Sequence, residues 1–295
     1  MEYSEYTPSG TEFKEYYVRM SDGVRLRIFE FIPEAADRKK PVIIFVAGWI
    51  SLISGWKGVL QEITPHFRTI YMETREKRSS LVPQNMNVSF AMDRLRKDIG
   101  EVIDELIPEK QNFFLAGSSL GASAILEYCS LNQRIPECAF LIGPNAEFRF
   151  PKVLGDIVPA FHPSLYFAVK PVVKWYLKNF RLDKKNAREQ VKKYENTLDE
   201  ADPYKLKANA LAIKNYTVWD KLGTIITPCV IFGATSDTLH GTDNLQKLIA
   251  IIPRTEYIEL ASNTETHSNK AGKLIAEYIA EKKYRHIEQH AVLHN

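Results

Sequence analysis

The stretch from Asn112 to Glu127 reads NFFLAGSSLGASAILE and sets two adjacent serines, Ser118 and Ser119, between two glycines. The β-forming residues Phe113, Phe114 and Leu115 lead into it, and Ala122, Ala124, Ile125 and Tyr128 continue it at helical spacing. That order is strand, tight turn, helix. A turn this sharp holds its central residue in a strained backbone conformation and brings strand and helix together two positions to either side of it. Neither of those positions has room for a side chain. Ser119 has Gly117 and Gly121 there, whereas Ser118 would have Ala116 and Leu120. Ser119 is therefore the candidate nucleophile, and the rest of the chain has to supply what a serine needs to react.

Outward from this turn, strands and helices alternate. EFKEYYVRM and VRLRIFEF predict a strand pair about the turn Ser21-Asp22-Gly23, and PVIIFVAG reads as a strand buried on both faces. GVLQEITPHF ends a helix, and RTIYMET is a short strand. Residues 93–107 place Leu95, Ile99, Val102, Ile103 and Leu106 on one helical face. After the Ser119 helix come a sixth strand, CAFLIG, then a stretch with little strand character from about Phe148 to Lys214. The strand TPCVIFGATSD, the helix NLQKLIAII, the strand TEYIELAS and the helix KAGKLIAEYIAEKKYR follow. Such interleaving predicts an α/β protein with a mostly parallel central sheet flanked by helices. The expected organisation is a core of residues 1–147 and 215–285, a mainly helical cap inserted at 148–214, and a C-terminal tail at 286–295. Insertions at the carboxyl ends of parallel strands lie where ligands bind.

Serine attacks efficiently only when a base removes its proton and a carboxylate orients that base. Seven histidines are available. His267 follows the last strand in the polar loop SNTETHSNK, where an imidazole can reach back over the sheet. His66, His162 and the three tail histidines lie beside no such strand end. Asp237 directly follows the strand PCVIFGATS, 30 residues before His267, and Glu147 after the sixth strand is the competing acid.

With these residues in place the chain resembles the α/β-hydrolase superfamily over nearly its whole length. The resemblance rests on GSSLG with Ser119, FGATSD with Asp237, His267 in its C-terminal loop, and FVAGW after the third strand. It implies the α/β-hydrolase fold and a Ser119-His267-Asp237 triad. It also implies an oxyanion hole formed by the backbone N–H groups of Trp49 and Leu120. Ala47 stands where the family usually has His, which backbone donors tolerate. After the fourth strand the family often has Asp-x-Arg-Gly-x-Gly-x-Ser. Here ETREKRSS keeps Arg75 and Ser80 and lacks both glycines.

The implied activity is that of a serine hydrolase cleaving a carboxylic ester or thioester through an acyl-enzyme, a reaction that needs no cofactor. Carbon–carbon bond hydrolysis and acyl transfer by the same triad are alternatives, as is a non-catalytic binding protein that has kept the fold.

Residues 148–214 hold eleven lysines and three arginines against seven acidic residues, a balance of +7, while the whole chain carries +3. The remainder is thus −4, and the positive charge is concentrated in the insert. There SLYFAVKPVVKWYLKNF sets Lys170, Lys174 and Lys178 four residues apart among Tyr166, Phe167, Trp175, Tyr176 and Phe180, interrupted by Pro171. Trp175, Tyr176 and Phe180 are candidate lid residues over an apolar pocket. The lysine stripe is a candidate surface for anionic lipid or substrate, or a solvated helix face. No nucleic-acid motif accompanies the charge. His286, His290 and His294 would form a stripe on a helix, but nothing nearby completes a metal site, and no metal is expected. Cys129, Cys138 and Cys229 lie in apolar stretches and read as buried, reduced thiols. The polar, acidic start and the lack of any long apolar run predict a cytoplasmic protein. The expected partner is a small ester or thioester. Oligomeric state is not encoded in any feature of the sequence.

Overall fold

A computed structural model describes residues 3–7, 10–34, 41–83, 87–148, 159–176, 195–234 and 242–292. The strands are β1 (Thr11–Arg19), β2 (Arg25–Pro33), β3 (Val42–Val46), β4 (Thr69–Met72), β5 (Phe113–Ser118), β6 (Ala139–Ile142), β7 (Cys229–Ala234) and β8 (Thr255–Leu260). They form one sheet in the order β1-β2-β4-β3-β5-β6-β7-β8. Only the β1–β2 and β2–β4 pairs are antiparallel, so the expected mostly parallel sheet is what forms.

Burial follows position in the sheet. Every residue of β3, β4, β5, β6 and β7 is buried, whereas the edge strands β1 and β8 alternate with exposed residues. Alternate side chains of β3 feed two separate cores. Val42, Ile44 and Val46 join Leu95, Ile99 and Ile103 of helix α2 (Met92–Leu106) and Leu120, Ile125 and Leu126 of helix α3 (Leu120–Cys129) on one face. Ile43, Phe45 and Ala47 join Val59, Leu60 and Ile63 of helix α1 (Lys57–Ile63) and Ala271 and Ile275 of the C-terminal helix on the other. An unbroken apolar run such as VIIFV can be stable in water only between two helical layers, and that requirement fixes the three-layer build.

Between β6 and β7 the described elements include helices α4 (Leu165–Tyr176) and α5 (Pro203–Ile213), followed by a 3₁₀ helix, Trp219–Thr224. Asp202 caps α5, its side chain accepting from the N–H groups of Tyr204 and Lys205, with Pro203 in the first turn where a missing N–H costs nothing. Helix α6 (Thr242–Ile251) connects β7 to β8. The last helix, α7, runs Asn269–Val292. It continues into the segment expected as a tail from residue 286, since nothing in YRHIEQHAV stops a helix. Side chains beyond Glu281 lie outside the described residues, as does His294, so the histidine stripe has no described geometry. Among the described residues no cluster of potential metal ligands occurs, and no helix is long and apolar enough to cross a membrane. Cys129, Cys138 and Cys229 are buried thiols, as the sequence predicts, and burial pushes the Cys129 thiol up to about 12.

Candidate active site

Ser119 sits between the end of β5 and the start of α3 with φ 46° and ψ −113°. A non-glycine residue at positive φ is uncommon, and this one is held on both sides. Its N–H donates to Ile142 O of β6 at 2.9 Å, and its own carbonyl accepts from the N–H of Ser123 at 2.9 Å and from Ser123 Oγ at 3.0 Å. The flanking glycines lie where a side chain would crowd its neighbours. A Cβ on Gly121 would lie 2.6 Å from Ala47 O and closer still to Val46 O. One on Gly117 would lie 3.1 Å from Val46 O and 2.7 Å from Ile125 Cδ1. Real Cβ atoms do not approach backbone as closely as one on Gly121 would, so the helix can start this close to β3 only with glycine there, while a Cβ on Gly117 would be tight against Val46 O and would have to displace the Ile125 side chain. Ser119 itself remains partly exposed, while Ser118 is buried.

The turn after β3 approaches the same point. A Cβ on Gly48 would lie 2.7 Å from Ser118 Oγ and 3.6 Å from Ser119 Cβ. Trp49 thus follows a residue in van der Waals reach of Ser119, and Leu120 begins α3 beside it. At the N-terminus of a helix backbone N–H groups are unpaired within the helix and favour negative charge.

His267 ends a short 3₁₀ turn, Glu265–His267, that follows β8. Its Nδ1 lies 3.0 Å from Asn263 O and 2.9 Å from Thr266 Oγ1. A carbonyl oxygen can only accept, so Nδ1 carries the proton and Nε2 is left as the basic nitrogen. The Thr266 hydroxyl in turn donates to Asn263 O at 2.8 Å, which turns its oxygen into an acceptor for the same N–H. The ring packs on Trp56 with centroids 4.2 Å apart. Trp56 is fully buried against Phe45 at 4.7 Å, and its Nε1–H donates to Ser51 Oγ at 2.9 Å. Asn263, Thr266 and Trp56 were not singled out from sequence. A Thr-His pair in a polar loop carries no pattern that separates it from other loop residues.

Asp237, the expected acid, lies outside the described residues, as do Lys178 and Phe180 and the side chain of Tyr176. Glu147 is partly buried beyond β6, its backbone bridged to Thr217. Trp175 shows 59% of its surface to solvent, and Phe167 and Val172 are similarly open, so the described residues leave this side of α4 uncovered. Lys170 and Lys174 both donate to Asp199, at 2.9 and 2.7 Å, which absorbs part of the charge expected to face outward. Exposed His162 pairs with Ser164 Oγ at 2.6 Å, within the same insert.

The segment ETREKRSS after β4 is a buried cluster of charge. Glu73, Arg75, Glu76 and Lys77 are each 5% exposed or less. Arg75 grips Asp98 of α2 with two hydrogen bonds of 2.7 and 2.6 Å, donates to Asp22 at 2.8 Å and reaches Ser89 O at 2.6 Å. Burial lowers the Lys77 ammonium below its ordinary pKa against the opposing pull of Glu76 and Glu73. Burial likewise raises Glu73, although Ser79 donates to it.

The chain matches no protein-family model and no curated protein. Its fold is that of many solved structures. A hydrolase from Pseudomonas aeruginosa superposes with a TM-score of 0.73 at 18% identity, covering 90% of this chain and 98% of that one. A thermophilic esterase from Thermogutta terrifontis gives 0.71 at 14% identity, over 92% and 98%. An enol-lactonase from Burkholderia xenovorans gives 0.69 at 18%, over 90% and 98%. Likeness at such identities concerns the path of the chain.

Proposed function

We propose that this chain, which has the α/β-hydrolase fold of those neighbours, is a serine hydrolase that cleaves a carboxylic ester or thioester through an acyl-enzyme. One observation carries the reading: Ser119 at φ 46°, held between strand and helix and flanked by two glycines, of which Gly121 is demanded by contact with the backbone of β3. A protein that had no use for an exposed hydroxyl at this point would gain stability by relaxing a conformation that costs of order 1–3 kcal/mol.

In this reading Ser119 Oγ forms a bond to the substrate's carbonyl carbon while its proton passes to His267 Nε2. The carbonyl π electrons move onto oxygen, and the N–H groups of Trp49 and Leu120 hold the resulting oxyanion. When the carbonyl re-forms, the alkoxide or thiolate leaves with the proton from Nε2. Water then repeats the sequence on the acyl-serine. Asn263 O and Thr266 Oγ1 set the tautomer of His267, and Asp237 is the proposed acid that stabilises the imidazolium. Residues 148–214 are proposed as a cap over the centre, with apolar acyl groups favoured by about 0.8 kcal/mol for each CH₂ they bury there.

The test is a panel of p-nitrophenyl esters and acyl thioesters of increasing chain length, run on the wild-type protein and on Ser119→Ala. Turnover by the wild type with a loss of about a thousandfold or more in the variant is expected. Turnover equal in the two proteins would refute the assignment.

A further inference from the structure

The turn Gly48–Ser51 closes with the Ser51 N–H donating to Gly48 O at 3.1 Å, and it places Ile50 at φ 48°. Turns of this kind ask for Gly or Asn at that position. A β-branched residue there suffers crowding of its Cβ against the next carbonyl. Something outside the turn has to hold it, and Lys77 does. Its Nζ donates to Gly48 O at 2.5 Å and to Ser51 O at 2.7 Å, the carbonyls at the two ends of the turn. The side chain is 4% exposed, with Glu76 Oε1 3.8 Å away as its counter-charge.

The first of these bonds bears on the chemistry. Gly48 C=O and Trp49 N–H belong to one planar peptide unit and point in opposite directions. An ammonium fixed on the carbonyl therefore fixes the direction of the N–H, and by polarising the unit it makes that N–H a stronger donor. Lys77 is itself held from behind. Ser80 Oγ donates to Arg75 O and Lys77 O, and Lys205 Nζ of α5 donates to Lys77 O at 3.0 Å and Ser80 O at 2.7 Å. The far end of the turn is tied to the histidine, since Ser51 Oγ accepts from Trp56, whose ring lies on His267.

We propose that Lys77 is a positioning residue for hydrolysis, which aims and polarises the Trp49 N–H toward the oxyanion by holding the Gly48 and Ser51 carbonyls. The proposal rests on Ser119 being the nucleophile. Its signature is a loss confined to the transition state: an oxyanion donor contributes about 10²–10³-fold to kcat, and a misaimed one should forfeit about 10–100-fold of it.

The experiment compares the wild type, Lys77→Met, Lys77→Gln and Arg134→Met. Thermal melting, kcat and KM for one p-nitrophenyl ester, and the inhibition constant of a trifluoromethyl ketone that adds to the serine as a tetrahedral adduct are measured for each. Lys77→Met should lower kcat and ketone affinity together by about 10–100-fold with KM within threefold. Lys77→Gln, which can reach one carbonyl at most, should fall between. Arg134→Met removes a cation whose bonds to Ile103 O, Ile107 O and Pro108 O lie away from the turn, and should melt lower while kcat stays within threefold. Equal losses in the Lys77 and Arg134 variants, a loss confined to KM, unchanged ketone affinity, or failure of both Lys77 variants to fold would each overturn the proposal and leave Lys77 a structural residue. A wild type that neither turns over the ester nor binds the ketone would instead remove the hydrolase reading on which the proposal stands.

Discussion

Two residues beside the candidate centre are held at nearly the same unusual φ, Ser119 at 46° and Ile50 at 48°, by opposite means. At Ser119 the surroundings are emptied: Gly117 and Gly121 remove the side chains that would collide, and the strained residue is carried by main-chain bonds from β6 and α3. At Ile50 nothing in the turn is adapted to the strain. The turn is clasped by a lysine 27 positions away in sequence, on a segment that owes its place to Arg75 and its bonds to Asp98 and Asp22. Strain relieved by absent atoms leaves a mark in local sequence, and strain held by a distant side chain leaves none.

The strongest way to break this comparison is to add an atom at the elbow. Gly121→Ala should cost more than about 3 kcal/mol, or abolish folding, because its Cβ would meet the rigid backbone of β3. Chemical denaturation gives the value, and a cost below about 1 kcal/mol would mean that the close approach is not real.

Next comes the acid. Asp237→Asn should lower kcat by about a hundred- to a thousandfold with folding unchanged, and Glu147→Gln should have much less effect. The expected loss is smaller than that of a triad whose carboxylate alone sets the tautomer, because Asn263 O already holds the proton on Nδ1. Reversed effects in steady-state kinetics would move the acid to the end of β6.

Ile50→Gly sharpens the contrast with a smaller effect. It removes a crowding cost of about 1–2 kcal/mol and adds glycine's entropic penalty of about 0.5–1 kcal/mol, so a net stabilisation of roughly 0.5–1 kcal/mol is expected in the same denaturation assay. Any destabilisation would show that Ile50 is not strained.

The smallest effect is on acid stability. Burial alone would raise the Asp22 carboxyl, but the hydrogen bond and charge of Arg75, with Arg94 beyond it, hold it below its ordinary 3.8. A carboxyl lowered in the folded state stabilises fully above its unfolded pKa of about 3.9, and that contribution is lost as pH falls through the folded value. Asp22→Asn should therefore lower Tm slightly at pH 6, with a difference from wild type that shrinks as the pH is taken below about 4. A difference that persists at low pH would assign the effect to packing.

The same contrast explains what was legible. VIIFV, with no polar residue, had to be covered on both faces, and GSSLG marked the elbow by its two glycines, although the backbone they admit belongs to β3. Both could be read from short windows. ETREKRSS could not, because five charged residues in a row of eight ordinarily face water. Read against the family pattern it is only a loop that has lost two glycines, whereas in three dimensions its Lys77 reaches the turn after β3. Periodicity placed Lys170 and Lys174 on one face of α4, but their common partner Asp199 lies some thirty residues on and is joined to them only by tertiary folding. Helix α7 runs past the end of KAGKLIAEYIAEKKYR because no stop signal follows it in the sequence.

The central claim is that Ser119, and not its neighbour, is the nucleophile. Treating the protein with a fluorophosphonate and locating the adduct by peptide mass spectrometry tests it most directly. The account predicts a single adduct on Ser119, absent in Ser119→Ala and retained in Ser118→Ala. An adduct on Ser118, or the survival of labelling in Ser119→Ala, would contradict it.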